Sequence, residues 1–144
     1  MLKIFNAVYL KSKAGALYSN FIYYHLNILA TPGFTKEYPQ YIKDQNMYRT
    51  FSMYFHHVKT YRTELFRKID KKYFLDSAGN FFSFASDLAL YFPVMERACG
   101  RVFKIPGFHY LYHRDTELNE DVLDRPRQVK ADQEARRMPR LSCD

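Results

Sequence analysis

Tryptophan is absent from this chain, cysteine occurs only twice and glycine five times, and each scarcity excludes something. Cys99 and Cys143 are too few for a disulfide framework or a CxxC metal knuckle, and they fit a reducing compartment. The five glycines form neither GxGxxG nor GxxxxGK[ST], so a glycine-rich phosphate loop is excluded. Long apolar runs are missing too. Ser19, Asn20, His25 and Asn27 interrupt the stretch 16–30, which falls short of the roughly 18–20 apolar residues that span a bilayer. Lys11 and Lys13 follow the apolar stretch 4–10 at once, leaving it too short for a signal peptide. A cytoplasmic chain with no membrane span is expected.

What is present is a core. The 144 residues are about one domain's worth, and 47% hydrophobic content with 18% aromatics excludes a disordered chain. Twenty-two Lys and Arg against fifteen Asp and Glu give +7, which suits phosphate-bearing ligands, nucleic acid or an anionic surface without choosing among them. Aromatics also serve base stacking in single-strand binders. Here most of them fall at periodic apolar positions, which assigns them to the core and makes nucleic acid the lesser alternative.

Apolar spacing predicts a helix over 2–10, closed by the cations of 11–13 and by Gly15. The aromatic and β-branched run 16–24 reads as a buried strand. Thr31, Pro32, Gly33, Pro39 and Asn46 break any period and predict a long loop over 30–47. The stretch 48–61 reads as a short helix or an irregular segment, ending in an extended piece at 58–61, after which Thr63 is placed to cap a short helix. A connecting loop over 71–80 follows. Ser86 is the expected cap of a helix over 87–98 that Pro93 kinks or restarts, with Glu96 on its solvent face paired to Arg97 or Arg101. Two strands, 102–105 and 108–113, are separated by a turn at Pro106-Gly107. The expected class is α/β, a mixed sheet flanked by helices over 1–115, with a charged, mobile tail over 116–144 that reads as a frayed helix or a disordered segment from Asp121 on.

Three constellations bear on chemistry. Asp87 lies in the first turn of a helix, where the dipole favours a carboxylate able to take a proton from an incoming hydroxyl; the plainer reading is a helix-end decoration. The run His56-His57-Val58-Lys59-Thr60-Tyr61-Arg62 is basic and aromatic. It suits a sugar or diphosphate held by His57 and Arg62, or else a strand edge with a solvated Lys59 and a structurally paired Arg62. His109 and His113 share a strand face but lie about 13 Å apart, too far for one metal ion. No HExxH occurs, and Ser and Cys lack a nucleophile's context.

The order of these segments resembles the acceptor-side half of a family 2 glycosyltransferase over about residues 2–120. The residues that carry the likeness are 16–20, His57 with Tyr61-Arg62, Ser86-Asp87-Leu88-Ala89, Pro93 to Ala98, Ile105-Pro106 and Leu111-Tyr112-His113-Arg114. The resemblance implies part of a GT-A-like fold and inverting transfer from a nucleotide-sugar donor to a glycan or other hydroxyl acceptor. Asp87 would be the general base, and His57, Arg62, Ser86, His113 and Arg114 would bind acceptor or diphosphate. It also implies a divalent cation, Mg or Mn, held by a DxD that this chain lacks. Met1 then reads as an internal start or a truncated frame. The expected partners are a separate nucleotide-binding half or a second copy, meeting along an apolar sheet edge. Ser86 stands where relatives have a second acid, and His113 where an aromatic or Arg is common. A non-catalytic protein that keeps the half-fold as a scaffold is the main alternative.

Overall fold

The computed structural model describes residues 1–25, 28–52, 55–113, 116 and 123–143. Its centre is β1 (Ala16–His25). β4 (Val102–His113) runs parallel to β1 along nearly its whole length, from Ala16↔Val102 to Tyr24↔His113. A strand has two edges, so the other edge of β1 is shared by two antiparallel neighbours. β3 (Lys59–Tyr61) covers the first half, with Tyr18 opposite Lys59. β2 (Ile28–Gly33) covers the second, with Phe21 opposite Gly33. The result is an α/β fold with an open mixed sheet flanked by helices.

α1 (Leu2–Lys11) lays Phe5, Val8 and Tyr9 on one sheet face against Leu17, Ile105 and Val58. α4 (Ser86–Arg97) covers the other face, where Tyr91, Phe92, Val94 and Met95 join Ala16, Tyr18 and Val102 in the main core. The fully buried Tyr91 fixes that layer by donating its hydroxyl to the Leu17 carbonyl at 2.7 Å. Pro93 lacks the donor that would reach Ala89, yet α4 continues through it with Pro93 buried. α2 (Gln40–Asp44), α3 (Thr63–Phe66) and a 3-10 turn (Lys71–Phe74) close the periphery.

Several expectations need correction. The long loop over 30–47 contains the end of β2 and α2; Pro32 and Gly33 are tolerated because β2 is an edge strand. Pro106-Gly107 is not a turn between two strands but a bulge inside one. Ile105 pairs with Ser19 and Phe108 with Asn20, so two extra residues are accommodated on β4, with Gly107 at φ 89°. Ala85, not Ser86, is the cap residue of α4, in the left-handed region at φ 50°, and Thr63 opens α3 without a side-chain cap.

Of the two readings of the tail, a frayed helix or a disordered segment, its described residues show a helix. α5 (Arg125–Arg137) starts where the Asp124 carboxylate accepts the Arg127 N–H at 3.1 Å, and it buries Ala135 against Phe82 and Ala89. Its apolar surface is small, so burial alone did not signal it. Polar contacts replace it. Arg49 donates to both Glu96 oxygens and to the Ala135 carbonyl, while Leu141 N–H donates to Glu96 at 3.1 Å. Glu96 is fully buried, not on the solvent face, and its partner is Arg49.

Candidate functional site

Where β3 ends its pairing on β1, the backbone brings a carboxylate, an ammonium and two imidazoles together. Lys59, opposite Tyr18, lies on the α4 side of the sheet, over the Phe55 ring at 5.3 Å. Its ammonium hydrogen-bonds the Asp87 carboxylate in the first turn of α4. Lys59 is only 12% exposed and Asp87 45%, so the pair is closed on the protein side and open to a ligand on the other. Burial pushes the Asp87 carboxyl up. The Lys59 charge and hydrogen bond, the His57 ring and the Leu88 N–H outweigh it and hold the group below its usual range. Asp87 is therefore ionised at neutral pH, and its basicity is restrained for as long as Lys59 stays beside it.

Beside this pair runs an aromatic wall. His57 stacks on Tyr110 at 4.6 Å between ring centres, and His56 lies on Phe21 at 4.1 Å. Ser19 ties the segment down, its Oγ accepting the Val58 N–H at 3.2 Å. Burial lowers both histidines, helped by the neighbouring Lys59 charge, and takes His56 to about 4. Both are neutral imidazoles at pH 7. His56 Nδ1 is buried and has no hydrogen-bond partner among the described residues.

That ring borders a cleft of about 300 Å³ lined by Phe21, Tyr23, Phe34, Thr35, Phe55 and His56, with Gly33, Lys36 and Ser52 completing it. Its floor is rigid. The Thr35 N–H and hydroxyl both donate to Asn20 Oδ1 at 3.0 Å, Lys104 donates to the Thr35 carbonyl at 2.7 Å, and Tyr18 to the Lys36 carbonyl at 2.8 Å. Gly33 is required where β2 passes the Phe21 ring, because a Cβ there would fall inside it. Phe55 joins the two halves of the site: one wall of the cleft, it also lies beneath the Lys59 ammonium that holds Asp87.

No family model matches the chain, and no curated protein or solved structure matches it.

Of the residues singled out from sequence, Asp87 and His57 come together. Arg62 does not join them: its guanidinium donates to the Ala14 and Tyr9 carbonyls at 2.7 Å each and lies over the Tyr9 ring, fastening α1 to β3. Its backbone neighbours took the donors a ligand would have used. Ser86 is the exposed first residue of α4. His113 pairs with Tyr24, about 20 Å along β1 from Tyr18. Arg114 lies outside the described residues. Lys59, solvated at a strand edge in one of the two expectations for its segment and given no ligand role in the other, is instead 12% exposed and paired with Asp87. The alternation of Lys59 and Tyr61 around Thr60 was the available signal, since one face of a strand so close to the core is buried.

A divalent cation does not fit the described residues of this site. Among the described residues no group of three His, Cys, Asp or Glu side chains could hold a metal. Asp87, the carboxylate of the site, already faces an ammonium. Among the described residues no helix is long and apolar enough to cross a membrane.

Proposed function

We propose that this chain is the acceptor-side part of a family 2 type glycosyltransferase, with a GT-A-like half-fold, that binds a saccharide hydroxyl in the aromatic cleft and presents it to Asp87. The observation that carries this reading is the junction at Phe55. A half-exposed carboxylate stands beside a cleft whose aromatic walls suit the apolar face of a sugar ring and whose His56, Thr35 and Ser52 suit its hydroxyls.

In the reaction so implied, the acceptor oxygen gives its proton to Asp87 and forms a bond to the anomeric carbon of a nucleotide-sugar. The bond from that carbon to the leaving diphosphate breaks with inversion. Lys59 restrains the base in the resting state. An anionic leaving group that draws the ammonium away leaves Asp87 a stronger base, so the charge that departs and the base that is needed are linked through one side chain. No step is assigned to a cation, since the donor set does not fit one, nor to a nucleotide pocket, since the chain has no DxD and no glycine-rich phosphate loop.

The Lys59–Asp87 pair also favours a second reading, a saccharide-binding module without catalysis, because a carboxylate held below its ordinary range is a weak base. Both readings need the cleft to bind sugar. Chemical-shift mapping of the chain with a panel of neutral saccharides tests this. Shifts confined to Phe21, Tyr23, Phe34, Phe55, His56 and Asp87 are expected. A folded chain with no shifts there contradicts both. Transfer to a bound saccharide from a supplied nucleotide-sugar, lost in Asp87→Asn, separates the enzyme from the module.

A further inference from the structure

The two cysteines are 44 positions apart in sequence and adjacent in space. Cys99 follows the last turn of α4 in the left-handed region, φ 52°, which turns its side chain back along the helix end. Its thiol lies 3.3 Å from the Cys143 carbonyl and 3.7 Å from the Glu96 carbonyl. The Cys143 thiol reaches that same Glu96 oxygen at 3.9 Å. Two thiols thus converge on one acceptor.

Their approach is held from several sides. Leading up to Cys143, the chain forms a strap across the end of α4. Asn46 donates to the Leu141 carbonyl at 2.7 Å, Leu141 N–H to Glu96 at 3.1 Å, Arg97 to the Ser142 carbonyl at 3.2 Å and Arg140 to the Gln45 carbonyl at 3.4 Å. These bonds raise the effective concentration of one thiol at the other without a covalent link. The cysteines also differ in the way an exchange reaction needs. Cys143 is exposed, whereas Cys99 is half-buried, and burial together with the neighbouring Cys143 thiol pushes its thiol up to about 11.

We infer that Cys99 and Cys143 are a redox-active dithiol that closes to an intramolecular disulfide and locks the C-terminal strap over the buried Arg49–Glu96 pair. The oxidant is a low-molecular-weight disulfide of the glutathione class. The Cys143 thiolate attacks one sulfur of it, forming a mixed disulfide and expelling one glutathione thiolate. Cys99 then gives up its proton and attacks Cys143 Sγ, expelling the second glutathione. The two protein thiols lose two electrons and two protons; the oxidant gains both as two thiols. Closure joins residues 44 apart, a loop long enough for the cross-link to restrict the unfolded chain strongly. The device is independent of the cleft and stands whether or not the chain acts on sugars.

The test equilibrates the full chain, first reduced, in glutathione buffers of increasing oxidised fraction, with Cys99→Ser and Cys143→Ser alongside. Samples are quenched with a maleimide and weighed intact. Wild type is expected to lose both alkylation sites together, to be lighter by two hydrogens, to yield one peptide joining the two cysteines and to melt higher than its reduced form. Cys99→Ser is expected to stop at a glutathione adduct on Cys143, and Cys143→Ser to stay unmodified. A wild-type chain that stops at the glutathione adduct, forms disulfide-linked dimers instead or melts lower when oxidised overturns the inference.

Discussion

Single side chains decide what the site can do, and Asp87 with Lys59 is the clearest case. Replacing Lys59 by Met keeps most of the packing on Phe55 and removes the charge, leaving burial as the main influence on the carboxyl. The Asp87 pKa is expected to rise above its wild-type value, measured by a carbon-detected NMR titration; an unchanged value contradicts the pairing. His56 makes the opposite kind of statement. Its folded value is about 4, against about 6.5 for an unfolded histidine, so between those values the unfolded chain binds more protons. The sign follows: His56's contribution is complete above about pH 6.5 and is lost as the pH falls toward 4. After discounting for partial solvent access, the loss is on the order of 1–2 kcal/mol. His56→Gln is expected to flatten the pH dependence of unfolding over that interval. Asp87, held below its usual range, keeps its contribution down to the ordinary carboxylate range and loses it only as the pH falls below that, so the two are separable.

At the scale of elements, the chain's local signals were plain where one force dominated. The helix at the start, the strand of 16–25 and the helix from 86 were legible because their apolar residues keep a period of 3.6 or form one dense run. The bulge at Pro106-Gly107 was not, because a Pro-Gly pair marks a turn locally, and only pairing with β1 keeps the strand in line through it. α5 was legible only as a frayed helix or a disordered tail, for another reason. Its residues are charged, and the contacts that hold it are polar and nonlocal: Arg136 donates to the Arg49 and Phe51 carbonyls at 3.1 and 2.7 Å, and Arg49 reaches Ala135. No periodicity announces a buried ion pair formed from residues 47 apart. This arrangement predicts that Glu96→Ala, which strands the Arg49 charge in the interior, costs about 3–5 kcal/mol in urea unfolding. A loss under about 1 kcal/mol, typical of an exposed pair, contradicts the buried placement.

Taken as a whole, the molecule divides its work between its two sheet edges and its two faces. The faces are structural: α1 seals one, α4 with α5 the other, and Arg62 and Tyr91 fasten helices to strands. The groups of the candidate site gather where β3 gives way to β2 along one edge of β1, the place at which the sheet itself leaves a gap. A gap of that kind explains why half of the site was legible from sequence. Asp87 and the histidine pair lie in short local patterns, whereas Lys59, Phe21 and Thr35 reach the site only through strand register. Opposite this edge, β4 has no further strand partner among the described residues. The central claim is that Asp87 receives a hydroxyl from a saccharide in the cleft. Calorimetric titration of one bound saccharide into wild type and Asp87→Asn tests it most directly. A hydrogen bond to a charged acceptor is worth about 1.5–3 kcal/mol, so Asp87→Asn is expected to bind roughly 10–100-fold more weakly. Equal affinity in the two proteins contradicts the claim.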